Sequence, residues 1–167
     1  SAWEVNLARS KMIQQQIDAL KELEGARVEA GWFETDRYPS ENGGEGELVA
    51  KRAAFLEEGG FIAIDTPAGP VKAFVPPRPF MRYASMVFAS TRKSIENRIA
   101  KRVFSGKITA EQALGQIGIA MENCIVDSIQ QGTWAPNAPY TVKKKGFDKP
   151  LIETGHMWQT VSSKVVK

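Results

Sequence analysis

The chain has 167 residues, 43% hydrophobic and 25% charged, a composition that favours one globular domain (1–167) over a disordered chain. A formal net charge of +3 permits a nucleic-acid or acidic partner without arguing for either, and a single cysteine excludes an internal disulfide. The sequence has no apolar run long enough to span a bilayer and no signal-peptide pattern at its start, so we expect a product made in the cytoplasm.

Runs of helical periodicity dominate the chain, and each ends at a glycine. The first covers about residues 4–24, with apolar positions on one face, and the second covers residues 47–58. A glycine directly after a helix favours the left-handed conformation that terminates it. The glycines in this position are Gly25, Gly59, Gly106 and Gly132.

The two longest helical runs are neighbours in the sequence. Pro79 stands at a favourable first-turn position for a helix over residues 80–105. Thr109 and Gln112 have the spacing of a capping box and predict a second helix that extends to about residue 131. Because their connection is short, we expect the two to form an antiparallel helix hairpin.

Strand patterns occur near both ends of the chain, in residues 27–33, 61–64, 71–75 and 158–166. This order favours an α+β fold, in which a small, mostly antiparallel sheet packs against the long helices. Residues 35–46 and 133–150 lack periodicity and are rich in turn formers. They are expected to be flexible loops that become ordered on assembly.

The sequence offers little for catalysis or metal binding. Any Ser-His-Asp or Cys-His arrangement would need His156, and a lone histidine is more often a surface or hydrogen-bonded residue. No zinc-ligand spacing is visible, and Cys124 lies on the apolar stripe of a predicted helix, where a small buried hydrophobe is the simpler interpretation. We therefore expect no enzymatic activity and no cofactor.

Charged residues leave alternatives open. Glu57 and Glu58 end a helix, where the dipole disfavours acids, so each is either solvated or paired with a partner's basic residue. The third helix and its exit carry a basic cluster, which is either a solvated face or a stripe that contacts nucleic acid or an acidic neighbouring subunit. The cluster comprises Arg92, Lys93, Arg98, Lys101, Arg102 and Lys107, and the predicted contacts are Arg98, Lys101 and Arg102.

Three segments, taken in order, carry a resemblance to a known family. Residues 50–60 read AKRAAFLEEGG, residues 75–82 read VPPRPFMR, and residues 150–155 read PLIETG and continue as HMWQTVSSKV. The succession, with the preceding Trp134-Ala-Pro-Asn, resembles the tail-completion or virion-morphogenesis proteins of tailed bacteriophages. Its order and spacing are more specific than any one segment, and it covers about residues 47–167.

The resemblance implies a virion structural protein that acts by assembling rather than by catalysing. It implies a homo-oligomeric ring, expected to be a hexamer, that sits in the neck and completes the tail or joins it to the head connector. The implied partners are other copies of the chain, head connector or adaptor proteins, tail terminator or tail tube proteins, and packaged DNA contacted non-specifically, without any membrane. The alternative is a small basic nucleic-acid-binding protein.

The motifs also make sense as a scaffold. Their prolines favour an extended path over residues 75–78 that delivers Phe80 to the core, while Arg78 is either an intrachain structural residue or a donor to a neighbouring subunit's carboxylate. Thr154 would cap a turn, and Gly155 would permit the bend into the last strand. The predicted partner contacts are Arg78, Arg82, Lys143, Lys144 and Lys145. The predicted scaffold residues are Pro77, Pro79, Phe80, Pro150, Leu151, Glu153, Thr154 and Gly155.

Overall fold

The computed structural model describes residues 1–40, 42–146, 150–151 and 155–167, and the predicted scaffold residues Glu153 and Thr154 lie outside them. The elements are α1 (Ala2–Leu23), β1 (Arg27–Gly31), α2 (Val49–Glu58), β2 (Gly60–Thr66), β3 (Gly69–Val75), α3 (Phe80–Phe104), α4 (Ala110–Gln131), α5 (Pro139–Lys145), α6 (His156–Gln159) and β4 (Ser162–Val166). The predicted α+β class is confirmed. The strands, however, form two separate two-stranded antiparallel sheets, β1–β4 and β2–β3, rather than one sheet.

The predicted helix hairpin is the longest structural unit, and α3 and α4 pack closely along each other. Its second helix begins at the predicted capping box. The Gln112 backbone N–H donates to Thr109 Oγ1 at 3.1 Å, and the Thr109 N–H donates to Gln112 Oε1 at 2.9 Å. These bonds satisfy backbone donors that have no partner within the helix.

The β1–β4 sheet covers the middle of α4. It approaches closely at Gly118, where an added Cβ would collide with the Ser163 side chain and lie 3.3 Å from Val28 Cγ1. Ser163 Oγ also donates a hydrogen bond of 2.5 Å to Glu122 Oε1 on the same helix. Gly118 therefore allows a close approach of sheet and helix.

Substitutions at two glycines of α4 should have opposite effects. Gly118→Ala should lower the free energy of unfolding by about 1–3 kcal/mol, because the methyl group overpacks the contact with β4. Gly115→Ala should raise it by about 0.5–1 kcal/mol, because nothing lies within 4 Å of the added carbon and alanine is the better helix former. Urea unfolding measures both, and a shift of the same sign in the two variants would contradict the predicted packing.

The hydrophobic core lies where α2, the start of α3, the C-terminal half of α4 and α6 meet. Phe80 is fully buried there, as predicted, with the Trp32 ring edge-on at a centroid distance of 6.1 Å. The buried members of this cluster are Val49, Ala53, Phe80, Ala84, Ile125, Ile129, Leu151 and Met157.

Helix ends follow the glycine pattern with one exception. Gly25, Gly59 and Gly106 have φ of +75°, +68° and +72°, which confirms the predicted left-handed conformation. Gly132 has φ of −64°, so the same prediction is wrong for it. A Cβ at this position would collide with the Trp134 ring, so glycine is needed for close packing rather than for its backbone freedom.

The two predicted loops contain more structure than their composition indicates. In the first, Arg37 forms a β-bridge with Leu48, and its guanidinium donates to Gly46 O at 2.9 Å. In the second, α5 contradicts the expected irregular structure, although Pro139 at its start and Gly146 (φ +80°) after its end are ordinary helix boundary signals. The mobility of both segments before assembly stays a prediction.

Candidate assembly surfaces

Residues of the first two motifs meet where α2 ends and α3 begins. The Glu57 carboxylate is buried, with the residue 8% exposed, and accepts hydrogen bonds from the backbone N–H groups of Met81 (2.8 Å) and Arg82 (3.2 Å). These donors belong to the first turn of α3, whose N-cap residue, Pro79, makes no side-chain cap. Glu57 therefore caps the helix from outside and complements the positive end of its dipole. Both sequence-based alternatives for Glu57, a solvated acid and an acid paired with a partner, are wrong.

Arg78 points into the chain, and the residue is only 4% exposed. Its Nε donates to Ala135 O at 2.9 Å, and its Nη2 donates to Pro136 O at 3.2 Å and to Asn137 Oδ1 at 3.5 Å. Of the two roles predicted for Arg78, the structure therefore favours the intrachain one. We correct the predicted contact with a neighbouring subunit's carboxylate, because the guanidinium donates inward, to the 135–137 segment of its own chain.

The segment after α4 is held at a second point. Trp134 Nε1 donates to Ser128 O at 2.8 Å, while the buried Ser128 Oγ donates to Phe80 O at 2.7 Å. The sequence interpretation missed the role of Ser128, since a serine within a helix carries no signal of a distant acceptor. We call Glu57, Arg78, Ser128 and Trp134 the internal frame, because their hydrogen bonds hold the end of α2, the start of α3, the end of α4 and the 135–137 segment together.

The remaining predicted scaffold residues lie around this frame. A Cβ at Gly59 would come within 2.6 Å of Pro77 N, so the motif glycine allows the chain after β3 to cross the end of α2. Leu151 is buried and Pro150 is half-buried. Gly155 has φ of +78° and makes the predicted bend, but it leads into α6 before the last strand.

A cleft of about 540 Å³ opens beside the frame, between α2, the base of β2–β3 and the start of α6. Its wall includes Tyr38, over whose ring the Arg52 guanidinium lies at 4.4 Å from the centroid. Arg52 also pairs with Glu47 at 2.8 Å. His156 Nε2 lies 2.8 Å from Arg37 O, and the histidine ring lies 5.0 Å from the Tyr38 ring. These contacts give His156 a structural role at the edge of the cleft.

The described part of the chain shows no built site around its other reactive groups. Among the described residues, no group of three or more His, Cys, Asp or Glu side chains could hold a metal ion. In the same part of the chain, no helix combines the length and apolar character needed to cross a membrane. Cys124 is partly rather than fully buried, and burial, followed by the charge of Asp127, raises the pKa of its thiol. The thiol is therefore a weak nucleophile at neutral pH.

The outer face of α3 carries a basic stripe, which we define as Lys93, Arg98 and Lys101. Together with Ser90, Ser94 and Asn97, these residues line a shallow surface depression. The stripe brings together two of the three predicted contacts. The third, Arg102, lies outside the depression and donates to Gln116 Oε1 on α4 at 3.1 Å.

The other predicted partner contacts lie on different elements. Arg82 is exposed, and its Nη2 pairs with Glu58 Oε1 at 2.5 Å. Lys143 is exposed on α5. The side chains of Lys144 and Lys145 lie outside what the structure describes. Among the side chains that the structure describes, the predicted basic contacts therefore do not lie in one site.

The N-terminal part of α1 is an exposed helical arm. None of α1 is buried, its half-buried positions begin at Gln16, and Gln16 Nε2 donates to Phe104 O at 3.0 Å. We call residues 2–15, which precede this attachment, the α1 arm. Trp3 on the arm is 71% exposed. The large apolar side chains that the arm exposes are Trp3, Val5, Leu7, Met12 and Ile13.

The β2–β3 hairpin is a second exposed element, and its strands pack mainly on each other. Alternation along the strands places Ile62, Ile64, Val71 and Ala73 on one face, which we call the hairpin face. Val71 on this face is 53% exposed. On the opposite face, Lys72 Nζ lies over the Phe61 ring, 4.4 Å from its centroid.

Comparisons of the chain with family models, curated proteins and solved structures found no match. The surfaces are therefore interpreted from their own chemistry. Large apolar side chains exposed along two elements are typical of protein–protein contact sites. The basic stripe, in contrast, suits an anionic partner.

Proposed function

We propose that this protein is a structural subunit of a tailed-phage virion that forms a homo-oligomeric ring in the neck. The ring, expected to be a hexamer, completes the tail or joins it to the head connector. Its partners are further copies of the chain, head connector or adaptor proteins, and tail terminator or tail tube proteins. The subunit acts by assembling rather than by catalysing.

The observation that carries this proposal is the apolar surface exposed by the α1 arm and the β2–β3 hairpin. Monomeric soluble proteins rarely expose contiguous apolar patches above a few hundred Å². The ordered succession of phage-like motifs supports the virion context. The internal frame gives those motifs a physical purpose, because it fixes the end of α2 and the start of α3, between which the β2–β3 hairpin is inserted.

Location in the virion tests the proposal directly. Electron cryomicroscopy of the virion, combined with mass spectrometry of purified particles, should show a ring of this chain between head and tail. Particles made without the protein should have filled heads and tails that do not join. Complete, infectious particles that lack the chain would refute the proposed role.

A second candidate function, nucleic-acid binding, is favoured by the basic stripe. Its three cations lie in one depression on α3, whereas the neighbouring Arg92 is paired with Glu96 at 2.6 Å. The positive charges of such a stripe would contact phosphate rather than bases. Binding would then be independent of the DNA sequence, because phosphate contacts carry no sequence information. In the proposed ring, the same surface would face packaged DNA.

Removing the charge of the basic stripe should weaken DNA binding without changing the stability of the subunit. A variant with Lys93, Arg98 and Lys101 replaced by alanine should keep its free energy of unfolding within about 1 kcal/mol, because exposed charges contribute little. Its affinity for duplex DNA should fall, with the slope of log K against log salt shallower by about 2–3 if all three cations contact phosphate. Arg92→Ala is the control and should leave the slope nearly unchanged. Identical salt slopes in all three proteins would show that the stripe binds no DNA.

A further inference from the structure

We infer that Asn42 is a site of spontaneous modification, at which the side-chain amide is converted to a carboxylate. Asn42 precedes Gly43 and Gly44 in the exposed loop between β1 and α2. The inference does not rest on the proposed self-assembly, because the reaction takes place within a single subunit.

The reaction is an attack of the main chain on the neighbouring side chain. The backbone nitrogen of Gly43 gives up its proton to the solvent and bonds to the side-chain carbonyl carbon of Asn42. The bond from that carbon to the side-chain nitrogen breaks, and the nitrogen takes up a proton and leaves as ammonia. Water then opens the resulting succinimide ring at either of its carbonyl groups, which produces aspartate or isoaspartate.

Gly43 favours this attack on steric grounds. It has φ of +72°, and apart from its chain neighbours no atom lies within 4 Å of the position that a Cβ would take; the same space is open at Gly44. Glycine has no side chain to obstruct its own nitrogen, and its backbone adopts angles that other residues avoid. The loop therefore leaves room for the rotation that brings the nitrogen to the Asn42 side chain.

The attacking nitrogen is also available. Asn42 and Gly43 are both exposed, and the Gly43 N–H forms no hydrogen bond with any residue that the structure describes. Within the same part of the chain, the contact of Asn42 is a bond from its backbone N–H to Ser40 Oγ at 3.3 Å, which leaves the side-chain amide unrestrained. No helix or strand has to open before the two groups can meet.

The other four asparagines of the chain lack this combination. Asn6, Asn97 and Asn123 lie inside α1, α3 and α4, where the backbone N–H of the following residue belongs to the hydrogen-bond ladder of the helix. Asn137 is half-buried, its Oδ1 accepts a hydrogen bond of 3.5 Å from Arg78 Nη2, and an alanine follows it. The fold therefore directs the reaction to one position.

The product changes both the charge and the backbone of the loop. Either acid lowers the formal net charge of the subunit, which is +3, by one unit. The new carboxylate joins a loop in which Arg37 pairs with Glu45 at 3.5 Å and donates to Gly46 O at 2.9 Å. Isoaspartate also adds a methylene group to the main chain. The modified fraction of the protein should therefore increase with the time since synthesis.

Peptide mapping by mass spectrometry tests the inference in the full-length protein. Native protein and protein unfolded in urea are incubated in the same mildly alkaline buffer and sampled over time. In native protein, residue 42 should become a mixture of aspartate and isoaspartate at a rate within about threefold of the rate in urea, because an exposed loop opens at almost no cost in free energy. The rate should rise with pH, because the attacking nitrogen must lose its proton.

Two neighbouring substitutions identify the attacking group. Gly43→Ala should slow the conversion of Asn42 at least about tenfold, because the added methyl group obstructs the nitrogen and the backbone. Gly44→Ala is the matched control and should leave the rate nearly unchanged. Asn42→Gln should remove the acidic product without changing Tm, because the side chain is exposed.

The outcomes decide the inference in either direction. Conversion at residue 42 at least about tenfold faster than at the helical asparagines, in native protein, supports it. An amide that persists at residue 42 in native protein overturns it, whether or not the unfolded protein converts. Equal rates in the Gly43→Ala and Gly44→Ala proteins would exclude attack by the Gly43 nitrogen and overturn it as well.

Discussion

Arg78→Ala should lower the free energy of unfolding by about 2–4 kcal/mol, which corresponds to a fall in Tm of roughly 6–12 °C for a domain of this size. The guanidinium holds the 135–137 segment against the start of α3. Its removal leaves the Ala135 and Pro136 carbonyls without these charge-assisted bonds and opens a cavity beside the core. Chemical denaturation followed by tryptophan fluorescence would measure the loss, because Trp134 lies in the affected region.

Arg82→Ala is the matched control for this experiment. Arg82 lies four residues away in the same motif, but its side chain is 67% exposed. It pairs with Glu58 at 2.5 Å at the surface, and its Nε lies 3.7 Å from Glu57 Oε1. Exposed pairs contribute about 0–1 kcal/mol, so this variant should unfold almost like the wild type. An Arg78→Ala subunit with an unchanged Tm that fails to enter particles would instead restore the partner contact predicted from the sequence.

Local signals made most of the helix boundaries predictable. These signals are the capping box at Thr109 and Gln112 and the glycines after α1, α2 and α3. Each acts through hydrogen bonds or backbone angles within a few residues, so it does not depend on contacts with distant segments. Helix α5 was not predicted although Pro139 and Gly146 mark its ends, because its segment is rich in prolines and lysines and lacks apolar periodicity. The division into two sheets was missed because alternation identifies a strand but not its partner.

The candidate surfaces were harder to predict because sequence periodicity does not identify what covers an apolar face. Ile13 and Ile17 of α1 fit a core-facing stripe, yet both are exposed. Conversely, the sequence left Arg78 open between an intrachain and a partner role and predicted a solvated or partner-paired Glu57. Both residues are buried, because their hydrogen-bond partners come from segments distant in sequence. A charged side chain can be buried only when hydrogen bonds or ion pairs compensate for its lost hydration. Those partners are brought together by the fold and cannot be identified from the local sequence.

Glu57→Ala should be the most informative substitution at the end of α2, with an expected loss of about 2–3 kcal/mol in the free energy of unfolding. The variant removes the acceptor of the Met81 and Arg82 N–H groups and the negative charge at the N-terminus of α3. Pro79 cannot replace the cap, because its side chain has no acceptor.

Glu58→Ala controls for net charge and helix propensity, since it makes the same chemical change one residue later in the same helix. The Glu58 side chain is 66% exposed and bonds only the Arg82 guanidinium among the described contacts, so its loss should cost less than about 1 kcal/mol. Glu57→Gln should fall between the two, because the amide oxygen still accepts a hydrogen bond but carries no charge for the helix dipole. Hydrogen exchange should show the added opening of Glu57→Ala at the first turn of α3. Equal stability of the Glu57→Ala and Glu58→Ala proteins would mean that water caps this helix as well as the carboxylate does.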